Sequence, residues 1–212
     1  MRTLIVGAGG HAQVVADILL GMQKDDADIV PVGYLDDDPA LEGQRLLGLP
    51  VLGDTAQISD VPHEAVVVAI GDNATRQRMF ERLQSQGEQF VVARHPNSVI
   101  ASGVEIGPGS MICAGAIANP GSTIGANVIL NTGCTVDHHN RIGDHAHIAP
   151  GVHLGGAVEV GEGALVGIGA TVMPQRRVGA WSVVSAGAVV HSDVGDEVVA
   201  AGVPARMIRR IS

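Results

Sequence analysis

The sequence predicts a chain in two parts, an α/β module followed by a parallel β-solenoid, and three observations carry that prediction. First, an aliphatic residue returns at every sixth position: Ile100, Ile106, Ile112, Ala118, Ile124, Leu130, Val136, Ile142, Ile148, Leu154, Val160, Val166, Val172, Val178, Val184 and Val190. Second, the residue four places after each of these is small or β-branched, with Asn140 and Arg176 as the exceptions. Third, residues 1–93 lack this period and alternate short apolar runs with helical stretches. A period of six matches neither the 3.6 of a helix nor the 2 of a strand. Self-similarity sustained over such a length marks a solenoid of stacked coils. Successive hexads close a triangular turn, so the aliphatic residue points into a prism and the small residue fills the corner space beside it. Tight turns at Gly, Asn and Asp separate the short strands. The series gives about five coils, roughly 25 Å of stack at the ~4.8 Å spacing of neighbouring strands.

The first part reads as alternating strands and helices. Thr3-Leu4-Ile5-Val6 is a buried strand, followed by Gly7-Ala8-Gly9-Gly10-His11-Ala12 and a helix to about Gly21. Ile29 to Leu35 is a second strand ending in Asp36-Asp37-Asp38-Pro39, Pro50 to Gly53 a short third, and Ala65 to Ile70 a fourth closed by Gly71-Asp72-Asn73. Ala74 to Gln86 is a helix and Phe90-Val91-Val92 a last short strand. Such alternation predicts a parallel, Rossmann-like α/β sheet over 1–93. His95-Pro96-Asn97 marks the crossing into the solenoid, expected over 94–197, because proline interrupts pairing. The hexad register is lost after Gly195, which leaves 198–212 as a C-terminal tail.

Composition narrows the class. Charged residues make up 17% and hydrophobic residues 46%, which predicts a globular chain rather than a disordered one. Aromatic residues at 2% suit a narrow prism of branched aliphatics and exclude a base-stacking nucleic-acid surface. A net charge of −9 opposes any large polyanion, so no nucleic-acid partner is expected. Cys113 and Cys134 lack paired-ligand spacing, and Cys134 falls on an inward position as a small core residue. The N-terminus runs straight into a strand and no apolar run reaches ~18 residues, so the expectation is a cytoplasmic protein with no membrane partner.

Two places hold residues suited to chemistry. Gly7-x-Gly9-x-x-Ala12 follows a strand and opens a helix, the arrangement that brings backbone N–H groups against a diphosphate. Asp36 and Asp37, at the end of the second strand, are placed to accept hydrogen bonds from a base or ribose. The second place is the solenoid, where His138, His139, His145, His147 and His153 cluster. A neutral imidazole takes protons near neutral pH, and Asp137 and His139 flank His138 as groups able to orient it. Zinc-binding solenoids of the gamma carbonic anhydrase type call for a His-x4-His pair, which is absent here, so no metal is expected.

The Ile/Val-Gly-x-x-Ala/Ser/Val-x repeat resembles the left-handed parallel β-helix of the hexapeptide-repeat acyltransferases. Gly7-Ala8-Gly9-Gly10-His11, Tyr34-Leu35-Asp36-Asp37 and Ala69-Ile70-Gly71-Asp72-Asn73 resemble the N-terminal domain of one branch. That branch holds sialic-acid O-acetyltransferases and UDP-4-amino-sugar N-acetyltransferases. Val128-Ile129-Leu130-Asn131-Thr132 with Val136-Asp137-His138 is similar to its active-site coil, and Gly202-Val203-Pro204-Ala205-Arg206 to its C-terminal signature.

The resemblance implies an acetyl-CoA-dependent transferase that acetylates the amine of a nucleotide-linked amino sugar, such as a UDP-4-amino-4,6-dideoxy sugar. O-acetylation of a sialic acid or another sugar hydroxyl is the alternative. His138 would be the general base, with Asp137 or His139 as its orienting neighbour. His147 would assist acetyl-CoA, the Gly156 N–H would receive the oxyanion, and Ile168 and Ala186 would contact the pantetheine arm. Asn131 would lie near the sugar amine, and Arg206, in a tail closing on CoA, near its nucleotide. Gly9, Gly10 and His11 would hold the diphosphate and sugar, and Asp36, Asp37, Gly71, Asp72 and Asn73 the base. The branch implies a homotrimer with active sites between subunits. Where it often carries an acid directly after the catalytic histidine, this sequence carries His139.

Overall fold

A computed structural model of the protein describes residues 1–25 and 28–211. The chain divides into two compact units, Met1–Pro96 and Asn97–Ser212, a boundary a few residues beyond the expected 93. The first contains β1 (Arg2–Val6), α1 (Gly10–Lys24), β2 (Val30–Leu35), β3 (Arg45–Leu46), β4 (Leu49–Pro50), β5 (Ala65–Val68) and α2 (Asn73–Ser85). Strands β2, β1 and β5 form a parallel sheet in that order. Leu4, Ile5 and Val6 of β1 and Val66, Val67 and Val68 of β5 are fully buried, the continuous apolar runs that a covered parallel sheet requires.

Three local expectations for this unit need correction. Helix α1 continues through Gly21 to Lys24, so Gly21 does not end it but gives clearance, since an added Cβ would lie 3.2 Å from Pro96. The strand expected at Pro50–Gly53 begins earlier, as β4 of the hairpin β3–β4, and then runs beside β2 through a single parallel bridge, Val51 to Tyr34, with the Leu52 N–H donating to the Tyr34 carbonyl at 2.8 Å. Leu47 and Gly48, at φ 50° and 80°, supply the two successive positive φ angles of a tight two-residue turn. Phe90–Val92 makes only a single bridge, Val66 to Phe90, with the Phe90 ring 4.0 Å from that of Phe80.

The second unit is the expected parallel solenoid. Face I stacks Val99–Ile100, Ile117–Ala118, Thr135–Val136, His153–Leu154, Thr171–Val172 and Val189–Val190. Face II stacks Glu105–Ile106, Thr123–Ile124, Arg141–Ile142, Glu159–Val160 and Arg177–Val178. Face III stacks Met111–Ile112, Ile129–Leu130, His147–Ile148, Leu165–Val166, Val183–Val184 and then Val198–Ala201. Corner one follows face I, corner two follows face II and corner three follows face III. From Ile112 to Val190 every aliphatic residue of the series is buried, and each Ile, Leu or Val contributes about 1.5–3 kcal/mol of hydrophobic stabilisation.

The stack outruns the hexad count. Val178 pairs with Val194 and Val184 with Ala200, so the last coil is two residues shorter than those below it. Val198–Ala201 is therefore another rung rather than tail. Arg206–Arg210 folds back antiparallel on it and caps the column.

Two kinds of position shape the corners. From Ile100 to Val184 the residue three places after each aliphatic one adopts positive φ, whether it is Gly (Gly133, Gly151, Gly169) or not (His139 at 57°, His145 at 60°). The glycine directly after the aliphatic residue at corner two serves instead for clearance. A Cβ on Gly143 would lie 2.6 Å from the Glu162 nitrogen, and one on Gly161 would lie 2.5 Å from the Ala180 nitrogen. Gly195 tops the same ladder with open space above it. Gly161→Ala should therefore destabilise the protein by about 2 kcal/mol through overpacking. Gly195→Ala should stay within about 0.5 kcal/mol of wild type. Urea unfolding of the two variants against wild type checks the contrast.

Candidate active site

His138 stands at corner one, two residues beyond Val136 of face I, and is exposed. Its ring lies against Gly156, one coil above. A Cβ there would come 2.5 Å from His138 Cε1, so only glycine leaves room for the imidazole. The Gly156 N–H donates to no acceptor within the described residues, which leaves a backbone donor beside the ring.

The two flanking residues have different roles. Asp137 Oδ1 accepts from the Asn119 side-chain amide at 3.0 Å and from the His138 backbone N–H at 2.8 Å. These bonds, the Asn119 one first, hold the Asp137 carboxyl below the usual carboxylate range. The ring partner of His138 is His139, with the two Nδ1 atoms 3.0 Å apart and the rings edge-to-face at 81°. Such a contact needs one proton between the two nitrogens. When His138 supplies it, Nε2, beside Gly156, carries the lone pair that can accept a proton. The left-handed backbone of His139 turns its ring back onto Gly121, where a Cβ would meet it at 2.8 Å.

Other expected residues gather at corner three. Asn131 Nδ2 donates to His147 Nε2 at 3.0 Å, while Asn131 Oδ1 accepts from the Thr132 N–H at 2.8 Å. Ile168 and Ala186 occupy equivalent positions in successive coils of the same corner, and both are exposed. Around them Gly133, Gly151, Gly169 and Gly187 leave open strips that side chains would otherwise fill, a fit for a thin flexible arm. Within one chain, then, His138 and Gly156 lie along one edge of face I while Ile168 and Ala186 lie along the other. Arg206 sits apart on the capping strand, 3.3 Å from His191 Nε2, beside a cavity of about 580 Å³ also lined by Arg210, Asp193 and Asp196.

In the first unit Gly9 caps α1, and Gly9 and Gly10 are exposed with open space where side chains would be, leaving the helix N-terminus accessible. Asp36 Oδ2 accepts from the Ala8 N–H at 2.6 Å and Asp36 Oδ1 from the Asp38 N–H at 2.9 Å. Asp37 accepts from the Thr55 N–H, which keeps its carboxyl below the usual range. Both acids thus tie loops together. Gly71 and Asp72 are exposed ahead of α2, where Asp72 accepts from the Thr75 N–H and Asn73 opens the helix.

Sequence reasoning passed over Arg76, which is fully buried and donates to the Ile70 and Gly71 carbonyls at 3.1 and 3.3 Å. Its signal was present: Arg76, Phe80 and Leu83 form one buried helical stripe. Burial pulls Arg76 down to about 10, with Asp72 opposing, so it stays cationic at neutral pH. Burial, then the Arg76 charge, lowers His11 to about 4, so at neutral pH His11 is an uncharged hydrogen-bonding group. The unfolded chain protonates His11 below its ordinary 6.5 while the folded chain refuses the proton until about 4. Stability is therefore lost as pH falls through that window, by on the order of 3 kcal/mol. Urea unfolding at several pH values should give a steeper slope for wild type than for His11→Asn between pH 6.5 and 4.

Residues 2–83 match the PglD N-terminal domain family. PerB from Caulobacter crescentus, in complex with CoA and GDP-perosamine, is 37% identical with a TM-score of 0.89, over 99% of this chain and 98% of that one. The acetyltransferase domain of PglB from Neisseria gonorrhoeae, in complex with acetyl coenzyme A, is 34% identical with a TM-score of 0.89, over 98% of both chains. WeeI from Acinetobacter baumannii is 28% identical with a TM-score of 0.85, over 98% of this chain and 100% of that one. The probable polysaccharide biosynthesis protein EpsC of Bacillus subtilis is 40% identical over 57 residues, 27% of this chain and only 9% of that protein. The chain belongs to the hexapeptide-repeat β-helix acyltransferases, in the group of PglD-type sugar N-acetyltransferases.

Proposed function

We propose that this protein transfers acetyl from acetyl-CoA to the amine of a nucleotide-linked amino sugar. The observation that carries the reading is corner one: an exposed imidazole seated on a glycine whose N–H is free, with a second histidine on its Nδ1. The full-length likeness to PerB, described with CoA and GDP-perosamine, supports the substrate class. GDP-perosamine N-acetyltransferase variants with asparagine or alanine in place of a histidine are also described with both molecules bound. UDP- and GDP-linked amino sugars are therefore the first acceptors to test.

In the proposed reaction the amine nitrogen attacks the thioester carbonyl carbon as His138 Nε2 takes its proton. The C–S bond breaks, and the sulfur leaves as the CoA thiol by taking that proton from His138. The Gly156 N–H stabilises negative charge on the carbonyl oxygen. Ile168 and Ala186 hold the pantetheine arm, Asn131 and His147 line its approach, and Arg206 holds the CoA nucleotide. Gly9, Gly10 and neutral His11 hold the diphosphate sugar at the N-terminus of α1, while Asp72 and Asn73 border the base.

The two halves of this machinery lie on opposite edges of face I, so a complete site requires a second copy. Exposed apolar groups support face I as the contact: Val99 on the face, Ile168 at one edge and Met173 at the other are 59%, 62% and 45% exposed. Face II instead points Glu105, Arg141, Glu159 and Arg177 outward. We propose a closed trimer of columns, with three equivalent sites.

His138→Ala should lower kcat by roughly 100-fold or more, the usual scale for losing a general base. Thiol release with acetyl-CoA and a panel of UDP-, GDP- and dTDP-linked amino sugars reads this, and acetylated product is identified by its mass gain. Near-normal turnover in the variant would remove His138 from the mechanism.

A further inference from the structure

Among the inward corner positions of the column, from Val104 to Val194, Asn140 is the only amide. It is fully buried inside corner one, two residues after His138. Its Nδ2 donates to the Asp137 carbonyl at 2.6 Å, the Gly155 carbonyl at 2.9 Å and, more weakly, the His138 carbonyl at 3.4 Å. One coil below, Ser122 Oγ donates to the same Asp137 carbonyl at 2.8 Å and accepts the Asn140 N–H at 3.1 Å. One side chain therefore grips the backbone that carries the base and, one coil above, the residue before Gly156, on which the ring rests.

Packing does not account for this residue. Val104 and Val158 occupy the same corner two coils below and one coil above, so valine suits the position. Asn140 Oδ1, meanwhile, is buried without a hydrogen-bond partner, a cost that an apolar side chain would avoid. Valine would remove that unpaired oxygen, but it would also release the Asp137 and Gly155 carbonyls that the amide holds. What the amide holds is the spacing between the His138 backbone and Gly156.

We infer that Asn140 is a positioning residue that locks the His138 loop and the Gly156 backbone in register from inside the column. The inference rests on the reading of His138 as the base. Without the amide the two corner segments relax independently, and the imidazole drifts relative to the Gly156 N–H. Displacements of that kind reduce the rate of the chemical step while leaving substrate binding in place.

The test compares Asn140→Val, Asn140→Ser and His138→Ala in the full chain, by steady-state kinetics and thermal unfolding. Asn140→Val should lose about 10-fold in kcat with KM for both substrates within about twofold, assayed at a temperature where thermal unfolding shows the variant fully folded. Asn140→Ser, which keeps a hydroxyl as Ser122 does, should fall between the two in kcat and serves if the valine variant fails to fold. A kcat loss confined to temperatures where the variant is partly unfolded would make the role structural, and wild-type kcat in either folded variant would overturn the inference. In both cases an inactive His138→Ala would leave the base itself standing, whereas an active His138→Ala would overturn the base reading instead.

Discussion

The backbone ladder between successive coils is the constraint on which the rest of the C-terminal unit depends. Each short strand donates to the carbonyls of the strand above, as when Thr135 N–H reaches Val152 O at 2.8 Å and Gly143 N–H reaches Val160 O at 2.7 Å. Strand partners keep strict register, Val136 opposite Leu154 and Ile142 opposite Val160. A side chain's place on the column is then set by its place in the repeat. Parallel pairing this short would be weak alone, and it persists because every rung also buries an aliphatic side chain.

That rule explains how a uniform column acquires a site. His138 and Gly156 share a corner because they hold equivalent positions in adjacent coils, and Ile168 and Ala186 share another for the same reason. The column itself is rigid and repetitive, so chemistry enters through departures from the repeat. Gly156 stands where a Cβ would strike the imidazole, His139 takes a left-handed position that glycine often fills, and Asn140 replaces a small apolar residue inside. All three departures fall on a single corner. In the proposed trimer the opposite edge of face I on a neighbouring copy would complete it.

Much of this was legible in the residues. A period of six specifies coils whatever the residues outside them do, and the aliphatic series is indeed the buried core. The shorter last coil escaped because a strict six-step count fails at a two-residue deletion even though the backbone ladder does not. Side-chain partnerships were less legible. Asp137 is adjacent to His138 in sequence, yet its carboxylate serves the backbone and Asn119, while the ring pairs with His139. Asp36 and Asp37 read as free acceptors at a strand end, and they also bind the loops around them. Arg76 was hidden by its charge, which reads as surface until the buried stripe with Phe80 and Leu83 is counted. Local patterning fixes where a side chain starts, whereas its partner depends on which coils or loops come alongside.

The most direct measurement of the central claim is subunit complementation. One preparation carries His138→Ala, the other Ala186→Trp to block the open strip at corner three, and each should be nearly inactive alone. Co-refolding or co-expressing them in equal amounts should restore activity at about a quarter of the sites, since those pair an intact base edge with an intact arm edge from a neighbour. Mixtures that stay as inactive as their parents, while forming mixed oligomers, would contradict a site shared between columns.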